Sequence, residues 1–307
     1  MTRAQLAAAC ALDALVGDPP AWPHPVHAFG AVIDAADRRR DAGSPPWRQF
    51  AEGALLTVAL AGSAVLTGRF LERRAALPAI VLGAATLAAR SLDDAVAAVQ
   101  HALERDDLAT ARVKLACIVG RDVADLAAPD VAAAALESLA ESFCDGVVAP
   151  LFWLRTGGLG AALAFKAIST LDSLIGHREE QYLWFGRVAA RADDVANFIP
   201  ARLAVAAIVL AALTQADRRR RAYAVITTAL RDAPAHRSPN GGWPEAALAG
   251  ALGVRLGGAV SYDGIVTSRP VLGAEFRSPV VADLAAGRAL IIRAALLVSL
   301  AVVVSAR

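Results

Sequence analysis

The stretch from Gly53 to Gly68 carries no charge, and a second uncharged stretch, Ala75 to Ala89, follows almost at once. Between them stand Arg69, Glu72, Arg73 and Arg74, with the breaker Pro78 just beyond. Two apolar segments separated by so short a polar turn read as a helical hairpin. A chain bearing one must bury it in a large helical core or place it in lipid. Further apolar segments run from Leu6 to Val16, Gly146 to Phe165, Leu203 to Ala216 and Ala294 to Ala306. Most are shorter than the roughly 17–25 residues of a free-standing span, but Arg288 and Arg293 can snorkel and lengthen the last one. Alanine, glycine and serine dominate these segments, as suits close helix packing in a bilayer.

Composition separates the alternatives. The chain has 307 residues, 56% hydrophobic and only 20% charged, against about 25% charged in an ordinary soluble domain. Disorder and a disulfide scaffold are excluded. With 31 basic and 29 acidic residues there is no net field to attract nucleic acid. The expected fold is all-α: a polytopic membrane helical protein with about four to six apolar helices, embedded in the cell membrane as one domain over residues 1–307. An alanine-rich soluble bundle is the alternative. Polar, motif-rich loop regions are expected at 90–145 and 217–285; the hairpin puts residues 17–50 and 90–145 on one side, expected to be the cytoplasm, with the arginine clusters at 38–40 and 218–221 as flanks. No strand alternation of useful length is evident, and Gly120-Arg121-Asp122 reads as a helix opening.

Rare residues mark candidate chemistry. Lysine occurs only at Lys114 and Lys166, and asparagine only at Asn197 and Asn240. A lysine retained among arginines suits a phosphate as a compact point charge. Glu137, Glu141 and Asp145, four apart, would share one helical face. Their mutual repulsion would be relieved by a hard cation such as Mg²⁺, or the face would simply be solvated beside Arg121. Lys166, Thr170 and Ser173 share another face, with Asp172 beside it. Asp193, Asp194, Asn197 and Arg202 open a later apolar helix, where Arg191 can pair with Asp194. His24 and His27 follow Gly17-Asp18-Pro19-Pro20 and Pro23 in a proline-set loop, where a helical metal pair is disfavoured by Pro25. Ser238-Pro239-Asn240-Gly241-Gly242-Trp243-Pro244-Glu245 is turn-rich, the kind of segment that carries ligands.

Taken in order, these segments resemble the CobD/CbiB family of cobalamin-biosynthesis membrane proteins. The matching pieces include Gly17-Asp18-Pro19, Pro23-His24-Pro25-Val26, Val119-Gly120-Arg121-Asp122, Glu137-Ser138-Leu139-Ala140-Glu141, Asp145-Gly146, Thr170-Leu171-Asp172-Ser173, Asp193-Asp194-Val195-Ala196-Asn197 and Ser238-Pro239-Asn240. Ser142 and Ser169 stand where the family usually has Asn, and Phe165 where it has Tyr. The resemblance implies an amide-forming synthase that joins adenosylcobyric acid to (R)-1-amino-2-propanol O-phosphate or ethanolamine phosphate, using Mg²⁺ and with ATP as cosubstrate. On that reading Glu141, Asp145, Lys166 and Asp194 carry catalysis. Glu137, Glu141, Asp145 and Asp193 hold the metal. His24, Arg121, Thr170, Asp172, Asn197, Arg202, Ser238 and Asn240 contact substrate. The partners are a corrinoid, the amino-alcohol phosphate and the lipid bilayer. No Gly-x-x-x-x-Gly-Lys-[Ser/Thr] loop is present to seat a nucleotide. A corrinoid or anion transporter, or a membrane sensor similar to AmpE, would share much of this pattern.

Overall fold

The computed structural model describes residues 1–19, 24–176 and 181–306. Pro20 and Pro23 of the early proline-rich motif lie outside them. The chain forms thirteen α-helices and one two-stranded sheet among the described residues. Contacts divide it into two compact units, one made of Met1–Ala88, Ala149–Asn197 and Ser299–Arg307, the other of Ala89–Val148 and Phe198–Val298.

The first unit contains α1 (Arg3–Val16), α2 (Pro25–Asp37), α3 (Pro46–Arg74) and α4 (Ala76–Ala84). From the later part of the chain come α8 (Ala149–Ile175) and α9 (Arg187–Ala196). The hairpin expected around residues 69–74 turns instead at Ala75, because α3 runs on through its basic residues. Arg73 and Arg74 lie in the last turn, where cations complement the helix dipole. Pro78 falls in the opening turn of α4, where the missing N–H costs nothing.

The helix α3 is inverted relative to a soluble one. Its buried stripe is Gly53, Thr57, Leu60, Ala64 and Gly68, mostly small residues. Leu55, Val58, Leu66 and Phe70 face outward, each more than 60% exposed. An apolar outer face of that length is what a lipid-facing helix presents. The small stripe lets α3 approach α8 closely: a Cβ on Gly68 would lie 2.6 Å from the Gly160 backbone. The helix α8 is itself broken at Gly158, which takes φ 71°, ψ −167°. The break frees the Leu159 N–H, which donates to Glu72 Oε2 at 3.0 Å. Glu72 also pairs with the N-terminal ammonium of Met1.

The second unit contains α5 (Ala89–Leu103), α6 (Leu108–Ala116), α7 (Ala128–Phe143), α10 (Phe198–Leu213), α11 (Arg218–Asp232) and α12 (Gly242–Leu252). A π-helical turn, Cys144–Val148, continues α7. The C-terminal helix α13 covers Val281–Ser305. Both polar regions singled out in the sequence belong mainly to this unit. Arg288 on α13 is bound to Asp93 at 2.7 and 2.8 Å and to Gln100 Oε1 at 2.9 Å, which ties α13 to α5.

A β-hairpin, β1 (Leu256–Tyr262) and β2 (Ile265–Leu272), corrects the expectation of no strands. Asp263-Gly264 forms its turn with φ of 49° and 77°, the positive pair a two-residue type I′ turn requires. Gly120-Arg121-Asp122 opens no helix, since α7 begins only at Ala128. Asp122 instead caps the hairpin, accepting from Ser261 Oγ at 2.6 Å and from the Asp263 and Gly264 N–H groups at 3.2 and 2.8 Å.

Four helical segments are long and apolar enough to cross a membrane: Pro46–Arg74, Ala76–Leu103, Ala128–Ile175 and Val281–Ser305. Arg187–Ala196 with Phe198–Leu213, bent by 41°, makes a fifth if counted as one span. The all-α polytopic architecture read from the sequence therefore stands, with one small sheet added.

Candidate functional site

In the second unit the candidate residues gather around α7, the hairpin and the start of α12. Glu137 is 3% exposed. Its Oε1 accepts from the Gly257 N–H at 2.7 Å, and its Oε2 is paired with Arg121. A buried carboxylate persists as a charge only when it is partnered in this way. Both oxygens of Glu137 therefore serve to dock β1 and Arg121 on α7.

One turn further, Glu141 is exposed. A Cβ built on Gly241 would lie 3.3 Å from Glu141 Oε1 and 3.4 Å from His236 Cε1, so the carboxylate and the imidazole flank the same glycine. Asp145 is half-buried in the π-helical turn, so the three acids do not continue one regular α-helical face. Turns of this kind recur at functional sites.

The approach to α12 is organised by short polar contacts. Ser238 Oγ accepts from the Asn240 and Gly241 N–H groups at 3.2 and 3.1 Å. His236 Nδ1 lies 3.1 Å from the Ser238 N–H and 3.3 Å from the Ser238 carbonyl oxygen, so this one residue holds that side of the ring. The other ring nitrogen, Nε2, faces Glu245 Oε1 at 3.8 Å. Glu245 is 2% exposed. Burial, and then the charges of Glu141 and Glu137, push its carboxyl well above the ordinary glutamate range. Burial also lowers the His236 imidazole. The raised carboxyl and the lowered imidazole each favour the uncharged form, a pair suited to hold or pass a proton next to the exposed Glu141.

Asn240 Oδ1 accepts from Arg202 Nη1 at 2.8 Å. The Arg202 guanidinium also donates to the Phe198 carbonyl at 2.9 Å. Its central carbon stands 3.9 Å from the Phe198 ring centroid and 4.6 Å from that of Trp243. A planar cation held between two rings and oriented by an amide is prepared for a carboxylate or phosphate.

In the first unit, His24 stands just before α2 in extended backbone, at the end of the proline-set segment. It caps α2, with Nδ1 accepting from the Val26 N–H at 3.2 Å, because Pro25 at the first helical position needs no N–H partner. His24, His27 and Lys166 line a cavity of about 320 Å³. A second cavity, of about 570 Å³, is lined by His27, Lys166 and Thr170 among others. The Thr170 hydroxyl donates to the Lys166 carbonyl at 2.7 Å. Asp172 is half-buried on the same helix. Asp193 Oδ2 accepts from Asn197 Nδ2 at 3.0 Å, and Asp194 is bound by Arg191 at 3.0 Å. Asn197 Oδ1 is buried with no hydrogen-bond partner among the described residues.

The structure thus groups Arg121, Glu137, Glu141, Ser238, Asn240 and Arg202 in the second unit. It groups His24, Lys166 and Thr170 around a groove in the first, where Asp193 pairs with Asn197 and Asp194 with Arg191. Among the described residues no three His, Cys, Asp or Glu side chains are arranged as a metal cage. The exposed Glu141 suits a Mg²⁺ ion that shares its ligands with substrate phosphates, since that ion commonly takes only one or two protein carboxylates. Sequence reasoning passed over His236, and took Trp243 and Glu245 only as members of a ligand-carrying segment, with no role of their own. The available signal was Glu245 itself, the one charge in the otherwise apolar stretch from Gly242 to Leu252.

The profile of the CobD/Cbib protein family matches residues 6–291. A Rhodobacter capsulatus protein named cobalamin biosynthesis protein CobD is 42% identical over 305 residues, covering 95% of this chain and 93% of the relative. Proteins of the same name from Pelobacter propionicus and Klebsiella pneumoniae are 41% and 39% identical. They cover 89% and 92% of this chain, and 85% and 91% of their own lengths. No solved structure matches. A family match over nearly the whole chain, with relatives this similar end to end, places this protein in the CobD/Cbib family.

Proposed function

We propose that this protein is the amide-forming synthase of cobalamin biosynthesis, joining the propionate carboxylate of adenosylcobyric acid to the amine of an amino-alcohol phosphate. The observation that carries the reading is the family match over residues 6–291, with relatives named for cobalamin biosynthesis aligned over about nine-tenths of the chain. The apolar helices add a bilayer as the setting. ATP as cosubstrate, Mg²⁺, and a cytoplasmic active face belong to the same proposal.

A carboxylate and an amine do not condense in water without activation. In the proposed reaction the propionate oxygen attacks the terminal phosphorus of ATP, giving an acyl phosphate and ADP. The amine nitrogen then attacks the acyl carbon, and inorganic phosphate leaves as the amide forms. That nitrogen must shed a proton, which a positioned carboxylate can take. Mg²⁺, where bound, would neutralise charge on the phosphates, with Glu141 and Asp145 as its protein ligands. Arg202, held flat by Phe198, Trp243 and Asn240, would bind an anionic group of the substrate. Glu245 and His236 would keep a proton close to Glu141.

The test is protein purified in detergent with adenosylcobyric acid, Mg-ATP and each amino-alcohol phosphate in turn, read by mass spectrometry of the corrinoid. The expected product is the corrinoid plus the amine component less one water. Monodisperse protein that forms no such product with any amine would overturn the proposal. Uptake of corrinoid into sealed vesicles without product would identify a transporter instead.

A further inference from the structure

We propose that Arg269 is a further substrate-binding residue of the site in the second unit, a guanidinium that grips the oxygens of a phosphoryl group and stabilises the phosphate that leaves as the amide forms. Its part in amide formation rests on the synthase reading above, whereas the anion site rests on the geometry of the hairpin. Strand register sets Val260 opposite Thr267 and Tyr262 opposite Ile265. Alternate residues of a strand share a face, so Val260, Tyr262, Thr267 and Arg269 lie together. Val260 is 5% exposed, which makes this the inner face, packed towards α7 and α12. Ala259 pairs with Ser268 and Gly257 with Val271, so Arg269 and Pro270 stand opposite Gly258 alone. Two residues against one make a β-bulge, a device that re-aims a side chain and recurs beside active sites. Gly257 and Gly258 take φ of 82° and 97° here, and a Cβ on Gly257 would fall 2.2 Å from the Pro270 carbonyl oxygen. The backbone of both strands is thus shaped around the position of Arg269.

Arg269 Nη2 donates to the Tyr262 hydroxyl at 2.7 Å, which holds the guanidinium along that face. Arg237 Nη2 donates to the Ser268 carbonyl at 3.3 Å, so the residue before Arg269 is tied to the residue after His236. The Arg269 charge acts on both Glu245 and His236, opposing the rise of the carboxyl and adding to the fall of the imidazole. Yet among the described residues Arg269 forms no ion pair. The nearby acids make little claim on it. Glu137 is held by Arg121 and the Gly257 N–H, and burial raises the Glu245 carboxyl towards its neutral form. A guanidinium with N–H donors left over offers the fork that binds two oxygens of a phosphate or a carboxylate. The reaction decides between them. The propionate carboxylate loses its charge on activation, so a cation fixed beside it would stabilise the ground state and oppose the step. In the second step the amine nitrogen bonds to the acyl carbon, and the bond from that carbon to the phosphate oxygen breaks. Its electron pair leaves with the phosphate, and the proton shed by nitrogen passes to a carboxylate. A preset cation beside the leaving oxygens stabilises charge as it develops there.

Full-length protein in detergent is titrated calorimetrically with inorganic phosphate and with acetate, and the same preparation is assayed for amide product. Wild type is expected to bind phosphate at least tenfold more tightly than acetate. Arg269→Gln should weaken phosphate binding by tenfold or more, and should lower kcat by more than it changes the KM of the amino-alcohol phosphate. Arg269→Lys keeps the charge without the fork and should recover part of both losses; it carries the test if Arg269→Gln does not purify as a single species. Arg237→Gln removes a neighbouring cation without touching Arg269 and should bind phosphate within twofold of wild type. Phosphate binding that is absent in wild type, or unchanged in Arg269→Gln and Arg269→Lys, overturns the proposal. Equal wild-type affinity for acetate overturns it in favour of a carboxylate site. A lower unfolding temperature in Arg269→Gln and Tyr262→Phe, with phosphate binding intact, overturns it by showing that Arg269 only staples the two strands. The two proposals fail separately. Amide product at the wild-type kcat in Arg269→Gln removes the role of Arg269 and leaves the synthase. Arg269-dependent phosphate binding without product under any condition removes the synthase and leaves the anion site.

Discussion

The carboxylate cluster of the second unit and the groove of the first use their polar groups differently. In the cluster the protein supplies its own counter-groups: Glu137 is buried against Arg121 and the Gly257 N–H, and burial raises the Glu245 carboxyl towards its neutral form. In the groove, a lysine, a histidine, hydroxyls and a carboxylate line a space of about 570 Å³. The cluster's polar groups hold helix, hairpin and loop together whether or not a ligand is bound. The groove's serines, Ser169 and Ser173, line that open space instead. Substitutions in the cluster should therefore register as lost stability, and substitutions of the groove's serines should leave stability nearly unchanged.

The largest effect expected from this contrast is at Arg121. Replacing it with Met leaves Glu137 charged, buried and short of its main counter-charge, a loss of about 3–5 kcal/mol. The accompanying Glu137→Gln change should recover most of that loss, because the stranded charge is gone. Thermal unfolding in detergent of the two single variants and the double variant measures this. Additive losses in the double variant would show that Glu137 and Arg121 act separately, and the contrast between the regions would weaken.

How much of this was legible in the sequence depended on whether a feature was local. The uncharged run from Gly53 to Gly68 announced α3, but not its ends. Its charged termini carry no apolar signal, and a helix accepts basic residues in its last turn as readily as a loop does. The break in α8 was readable in principle at Gly157-Gly158, because only a glycine readily adopts the φ of 71° found at Gly158. The Asp263-Gly264 turn was readable in principle as a hairpin signal. It was hidden because the flanking strands carry Gly257, Gly258 and Ser261 rather than a clean alternation. In the candidate site, Glu137 and Arg121 could be picked out as residues but not as partners, since sixteen positions and a loop separate them. The role of Glu245 was missed for the converse reason. Its neighbours in the chain are apolar, and everything that perturbs it comes from other elements.

A smaller effect, with a definite sign, is expected from pH. The Glu245 carboxyl is raised in the folded state, so folding takes up a proton at any pH between its unfolded value, about 4.3, and its folded one. Stability from this group is therefore full below about pH 4.3 and falls as pH rises, by at most about 1.4 kcal/mol per pH unit. His236 is lowered, so the folded state binds fewer protons below about pH 6.5, and stability falls as pH drops through that range. Glu245→Gln should flatten the alkaline side of the stability profile, and its advantage over wild type should grow with pH. His236→Gln should flatten the acidic side. Identical profiles for Glu245→Gln and wild type would mean that Glu245 is ionised when folded, and the cluster would then hold a bare charge.

The smallest effect is the one that tests the groove's side of the contrast. Ser169 and Ser173 lie on the cavity-lining stripe of α8, half-buried and exposed respectively. Alanine has the higher helix propensity, so neither Ser169→Ala nor Ser173→Ala should lower unfolding stability by more than about 0.5 kcal/mol. Denaturation of both variants in detergent, alongside Arg121→Met, makes the measurement internal to one protein. A loss of 2 kcal/mol or more from either serine would mean that the groove, like the cluster, is held together by its own polar groups, because a hydroxyl that only faces a cavity has no such energy to lose.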